Sequence, residues 1–155
     1  MKEIPLTQGQ VALVDDDMYA YLNQWKWFCT TRGYAARSEG KSPNQKTIRM
    51  HRQILGLTDT TYSDHKDGNP LNNQLSNLRK CTSSLNQMNR GKQKNNKSGY
   101  KGVCWHKPYQ KWHAQITVNG KRKHLGYFSD ILDAVRAYNK EASKQYGDFA
   151  KLNTI

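Results

Sequence analysis

The sequence predicts an α+β chain made of short antiparallel strands and helices, and two observations predict it. From Lys111 to Val118, the residues Trp112, Ala114, Ile116 and Val118 alternate with Lys111, His113, Gln115 and Thr117, the period-two pattern of a strand with one apolar and one polar face. Asn119-Gly120 then supplies a type I′ turn into a partner strand over Lys121 to Phe128. The period changes after that, with Ile131, Val135, Tyr138 and Ala142 falling on one helical stripe.

The elements follow in chain order. Strand signals occur at Gln10 to Val14 and at Trp25 to Thr31, and a turn at Arg32-Gly33 leads into Tyr34 to Arg37. Asp15 to Asn23 reads as a short helix, capped by Asp15 or Asp16 with acids suited to its first turn. Trp25, Trp27, Phe28 and Tyr34 are assigned to a core. A second segment, about residues 46 to 90, is rich in polar side chains. Gly91 to Gly99 has no apolar residue to bury and reads as a basic linker over residues 91–98. The last segment is the sheet and helix of residues 99–155, with Ser129 expected to cap the helix and Gly147 to stop it. The expected organisation is therefore a β-rich lead-in and polar segment over residues 1–90, a linker, and a second small domain whose sheet keeps its polar face free.

Charge points to the partner. Lys and Arg number 25 against 12 Asp and Glu, a formal net charge of +13. Between Gly68 and Ser129 there is no acid and there are twelve basic residues, a one-signed stretch that suits a polyanion. Cys29, Cys81 and Cys104 lie far apart and form no CxxC pair, so they suggest neither a zinc knuckle nor a disulfide framework and suit a reducing interior. The N-terminus lacks the apolar core of a signal peptide and no window approaches a membrane span, so a soluble, cytoplasmic protein is expected.

The chemistry-bearing stretch is Ser63-Asp64-His65-Lys66-Asp67-Gly68-Asn69-Pro70-Leu71-Asn72-Asn73, followed by Ser76-Asn77-Leu78-Arg79 and Leu85-Asn86-Gln87-Met88-Asn89-Arg90. Histidine's ordinary pKa of about 6.5 lets it deprotonate water near neutrality. A carboxylate beside it can hold a cation to offset charge on a phosphate. Adjacent residues on a regular strand point to opposite faces, so Asp64 and His65 can flank one phosphate only if the strand ends or bends there, as Gly68-Asn69-Pro70 suggests. His51, in Ile48-Arg49-Met50-His51-Arg52, is assigned a structural role or at most a phosphate contact.

This constellation resembles the HNH homing-type endonucleases, whose site is a ββα-metal finger with a core here at about residues 46–90. The resemblance implies Asp64 and Asn86 as protein ligands of one divalent metal, His65 as general base, and Asn77 as the residue that orients it or holds its loop. With Asn86 at the third HNH position the shell is all oxygen, which argues for Mg²⁺ or Mn²⁺. The closing Arg79 and Arg90 are taken as DNA contacts, and the N-terminal lead-in resembles the module that precedes the motif in similar phage and intron-encoded enzymes.

A second resemblance covers Ser98 to Asn153. The strings Tyr100-Lys101-Gly102-Val103, Lys111-Trp112-His113-Ala114-Gln115-Ile116, Leu125-Gly126-Tyr127-Phe128 and Gly147-Asp148-Phe149-Ala150-Lys151-Leu152-Asn153 resemble an AP2/ERF DNA-binding domain. Its sheet lies in the major groove, which implies Lys101, Lys107, Tyr109, Gln115, Thr117, Arg122 and His124 as contacts to double-stranded DNA. Cys104, Thr117 and His124 stand where that family commonly has arginines and tryptophans, so no base preference carries over.

The expectation is a magnesium-dependent, site-preferring homing endonuclease that works as a monomer on DNA, with no protein partner implied. A DNA-binding regulator with an inactive nuclease remnant is the alternative, and an RNA-binding basic protein a third class.

Overall fold

The computed structural model describes all 155 residues and divides into two compact units, Met1–Ser83 and Ser84–Ile155. No helix is long and apolar enough to cross a membrane.

The first unit opens with an antiparallel pair, β1 (Lys2–Pro5) and β2 (Val11–Val14), followed by α1 (Asp16–Leu22). A three-stranded antiparallel sheet follows in sequence order, β3 (Phe28–Cys29), β4 (Ala35–Glu39) and β5 (Lys46–Arg49), and leads into α2 (Met50–Ile54). A second pair, β6 (Tyr62–His65) and β7 (Leu78–Cys81), is antiparallel and encloses a loop ending in a 3₁₀ turn at Leu75–Asn77. Ile4, Leu6, Ala12, Val14, Leu22, Trp27, Ala35 and Met50 form the core.

Two expectations fail in this unit, each for a reason the structure makes plain. The strand expected over Trp25 to Thr31 shrinks to β3. Trp27 is drawn into the core, its Nε1 donating to Leu22 O at 2.7 Å, and its backbone makes an isolated bridge to Leu6. Asp15 occupies the N-cap position of α1, but its side chain makes no capping bond. Its carboxylate accepts from Leu75 N at 2.6 Å and from Gln74 Nε2 at 3.3 Å, so it tethers the β6–β7 loop.

The second unit contains α3 (Ser83–Met88), whose first residue belongs to the first unit, then β8 (Val103–His106), β9 (Lys111–Val118), β10 (Lys121–Phe128) and α4 (Ile131–Tyr146). β9 is the central strand of an antiparallel sheet. Val103, Ala114, Ile116, Ala134, Val135, Tyr138 and Ala142 build the core between the sheet's apolar face and the α4 stripe. Asn119 and Gly120 carry the positive φ angles of the expected turn, 50° and 76°. The α4 cap is Asp130, not Ser129: its carboxylate accepts from Leu132 N at 2.7 Å. Gly147 ends the helix with φ 50°.

The stretch 91–98 has no regular element, yet its end is fastened. Ser98 Oγ donates to Val103 O at 2.6 Å, and Gly99 N donates to Asn96 Oδ1 at 2.9 Å.

Candidate active site

Asp64 and His65 are the last two residues of β6, and both are buried. The strand ends there as the turn residues require, with Gly68 N donating back to His65 O at 2.9 Å and Gly68 at φ 79°. Asp64 lies opposite Arg79 in the pair register, and His65 opposite Leu78. Arg79 donates from Nε at 3.0 Å and from Nη2 at 2.7 Å to Asp64 Oδ2. The expected DNA contact Arg79 is thus a partly buried counter-charge to the expected metal ligand.

The loop after His65 is organised by a carboxylate that sequence reasoning missed. Asp67 accepts from Asn69 N at 2.8 Å, Asn72 Nδ2 at 2.8 Å and Asn77 Nδ2 at 3.0 Å. Burial raises its carboxyl pKa, but these bonds and the His65 charge outweigh that and leave it below the usual range. Asn77 closes the loop from the other side: its Oδ1 accepts from Asp67 N at 3.1 Å and its Nδ2 also donates to Asn72 O at 2.8 Å. Of the two roles expected for Asn77, these bonds serve the holding of the loop. Asp67-Gly68-Asn69 had the composition of an Asx turn, the signal that could have found Asp67.

Asn73 meets His65, with its Oδ1 3.3 Å from Nε2. His51 sets its ring edge-on to His65 at 5.0 Å, and Tyr34 approaches both rings. Burial lowers the His65 pKa, against the raising effects of Asn73, Asp67 and Asp64. His51 is buried with Nδ1 unpartnered, and burial, reinforced by the charges of His65, Arg49 and Arg52, takes it to about 3. Both imidazoles are therefore neutral at pH 7, the form a general base needs.

Asn86 lies on α3 in the second unit, so Asp64 and Asn86 belong to different units. No three His, Cys, Asp or Glu side chains converge on a metal position.

Four of the expected DNA contacts meet on the sheet of the second unit. Thr117 pairs across strands with Arg122, and Gln115 with His124. Tyr109 sits beside His106 and Tyr127, with ring centroids 4.8 and 4.7 Å away, and Lys107 is exposed before β9. Lys101 is spent differently: its ammonium donates to Met88 O at 2.6 Å and Arg90 O at 2.7 Å, while burial, then the Lys151 charge, lowers its pKa to about 8. Arg90 is exposed.

His113 and Tyr127 were missed, although they occupy the same face. His113 Nε2 is 2.7 Å from His124 Nδ1, and Tyr127 packs on both rings. Burial, then the charges of His124 and His106, lowers the His113 pKa. A bulge between His124 and Gly126 brings Tyr127 to this face, because the extra residue reverses the alternation that sequence parity assumes.

No family model matches the chain, and no solved structure matches it. Protein 3.8 of Escherichia phage T7 is 38% identical over 90 residues, covering 58% of this chain and 74% of that protein. The protein named Uncharacterized HNH endonuclease L560, of Acanthamoeba polyphaga mimivirus, is 28% identical over 155 residues, covering 96% of this chain and 77% of that protein.

Proposed function

The chain belongs to the family of Protein 3.8 of phage T7, and within that family we propose that it is a metal-dependent, site-preferring DNA endonuclease of the HNH type. The observation that carries this reading is the histidine itself: His65 is buried and faces a carboxamide at the end of a strand, directly after Asp64. In the proposed reaction His65 takes a proton from water, and the water oxygen attacks DNA phosphorus in line with the departing 3′-oxygen, leaving 5′-phosphate and 3′-hydroxyl ends. Asp67 and Asn77 keep the loop in place while this happens.

Asp64 would hold one Mg²⁺ or Mn²⁺, hard cations that its oxygen donors suit. When bound, the ion would supply positive charge for the scissile phosphate and leaving oxygen. The AP2/ERF-like sheet, through Gln115, Thr117, Arg122 and His124, reads double-stranded DNA in this proposal. A homing role, in which cutting one site promotes insertion of a mobile element, fits the viral sources of both relatives.

One observation favours a second reading. The Asp64 carboxylate is already engaged by Arg79, as it would be in a DNA-binding regulator whose nuclease centre is silent. Incubation of purified protein with supercoiled plasmid decides between them. Cleavage with Mg²⁺ that stops with a chelator is expected, and DNA binding without cleavage in Mg²⁺ and Mn²⁺ would establish the regulator.

A further inference from the structure

The formal charge of the chain counts its histidines as neutral, and three of the five share one surface of the second unit. His106 on β8, His113 on β9 and His124 on β10 gather with Tyr109 around Tyr127, each ring centroid 4.7 to 5.0 Å from that of Tyr127. The His113 and His124 rings stack, with Nε2 of the first 2.7 Å from Nδ1 of the second. Two imidazole nitrogens in hydrogen-bond contact hold one proton between them, so one ring donates and the other accepts. With both rings neutral, one outer nitrogen, either His113 Nδ1 or His124 Nε2, is left bare. One added proton fills it whichever tautomer is present, and the bridge survives. A second added proton would set two N–H groups against each other, so the pair titrates as a unit that takes one proton.

The groups that face the pair are neutral or basic. Register puts Cys104 and His106 of β8, Lys111 of β9 and Arg122 of β10 on the same side of the sheet, with Cys104 Sγ 3.9 Å from His113 Nδ1. The acids of this unit, Asp130, Asp133, Glu141 and Asp148, lie on α4 or at its ends, and α4 packs on the opposite face, where Glu141 is paired with Lys123. Burial, then the charges of His124 and His106, holds His113 below its ordinary value, which favours the uncharged pair while the surface is free.

We propose that the His113–His124 pair is a proton-linked contact to duplex DNA: it takes up one proton from solvent as the duplex settles on the sheet, and the cation so formed presents only donors to the acceptors of DNA. This rests on the reading above in which the sheet meets double-stranded DNA. The phosphates provide the drive, because their negative potential favours the charged pair. The bound state then holds one proton more than the free state, so affinity rises as pH falls between the bound and free pKa values of the pair and is level outside that window. One proton limits the rise to about tenfold per pH unit.

The test is the affinity of the full chain for a labelled random-sequence duplex, read by fluorescence anisotropy at fixed salt, in a chelator that prevents cleavage, at about pH 8 and about pH 6. Between these the wild type is expected to gain about three- to tenfold more affinity than a chain carrying His113→Gln and His124→Gln together. The other titrating groups are common to both chains and cancel in that comparison. In the unaltered chain labelled with ¹⁵N at histidine, added duplex is expected to raise the titration midpoint of the pair by about half a unit to one unit. Equal gains in the wild type and the double variant, or a midpoint that duplex does not move, overturn the proposal and leave the DNA reading standing. If the double variant does not fold, the midpoint in the unaltered chain decides. A chain that binds no duplex at either pH overturns the reading of the sheet and the proposal with it.

Discussion

Asp64 and His65 are adjacent in sequence but differ in what their removal should do. His65→Ala is expected to lower the single-turnover cleavage rate about a hundredfold to ten-thousandfold while DNA affinity, measured by filter binding, stays nearly unchanged. Asp64→Ala should instead raise the Mg²⁺ requirement, with partial recovery at high Mn²⁺ that His65→Ala does not share. The Asp64 change also withdraws the carboxylate from the partly buried Arg79 guanidinium. Loss of one partner of a buried pair costs about 3–5 kcal/mol, so unfolding must be followed beside activity. His51 gives a pH signature of stability. Its pKa is about 3 in the fold against 6.5 in the unfolded chain, so it is neutral in the fold, and below 6.5 the unfolded state takes up the proton. Its contribution is complete above pH 6.5 and is lost as pH falls toward 3, amounting to about 2 kcal/mol by pH 5. Urea unfolding at pH 8 and pH 5 should show that extra loss in the wild type and not in His51→Gln. The residues that a motif names, Asp64, His65 and Asn77, were legible in the sequence because their spacing is local. Asn73, Asp67 and the His51 ring were not, since their roles depend on which atoms a folded loop brings together.

At the scale of elements, the most regular patterns were the most readable. The alternation of β9, the Asn119-Gly120 turn and the α4 stripe all stand where periodicity put them, because each is set by contacts a few residues apart. The β3 segment was misread because a buried Trp27 outranks β propensity there. Ser129 lost the α4 cap to Asp130, one residue on, within the ordinary uncertainty of helix ends. The bulge in β10 was invisible to a strict two-residue period, and with it the grouping of Tyr127 with His113 and His124. Gly102 offers a test of how tightly β9 and α4 are packed. Its φ is 76°, and a Cβ there would lie 2.1 Å from the Tyr138 ring and 2.7 Å from Gln115 O. Gly102→Ala should therefore destabilise the second unit by about 2–5 kcal/mol, combining backbone strain with overpacking, as read by chemical denaturation.

For the whole molecule, the charge distribution makes the clearest demand. If about six of the twelve basic residues between Gly68 and Ser129 meet phosphates, log affinity for duplex DNA should fall with log salt at a slope of about five, at about 0.9 per contact. A flat salt titration would remove the polyanion argument. The tether between the two ends of the first unit has a consequence for folding. β6 and β7 can pair locally, but the loop between them is held by Leu13 and Asp15, and the Asp15–Leu75 bond spans 60 residues. Closing so long a segment is entropically costly and slow compared with forming a hairpin. In refolding, amide protection along β6 and β7 should therefore rise before the Leu13 and Asn73 amide signals become native, so a nascent chain acquires the hairpin first and a fixed histidine last.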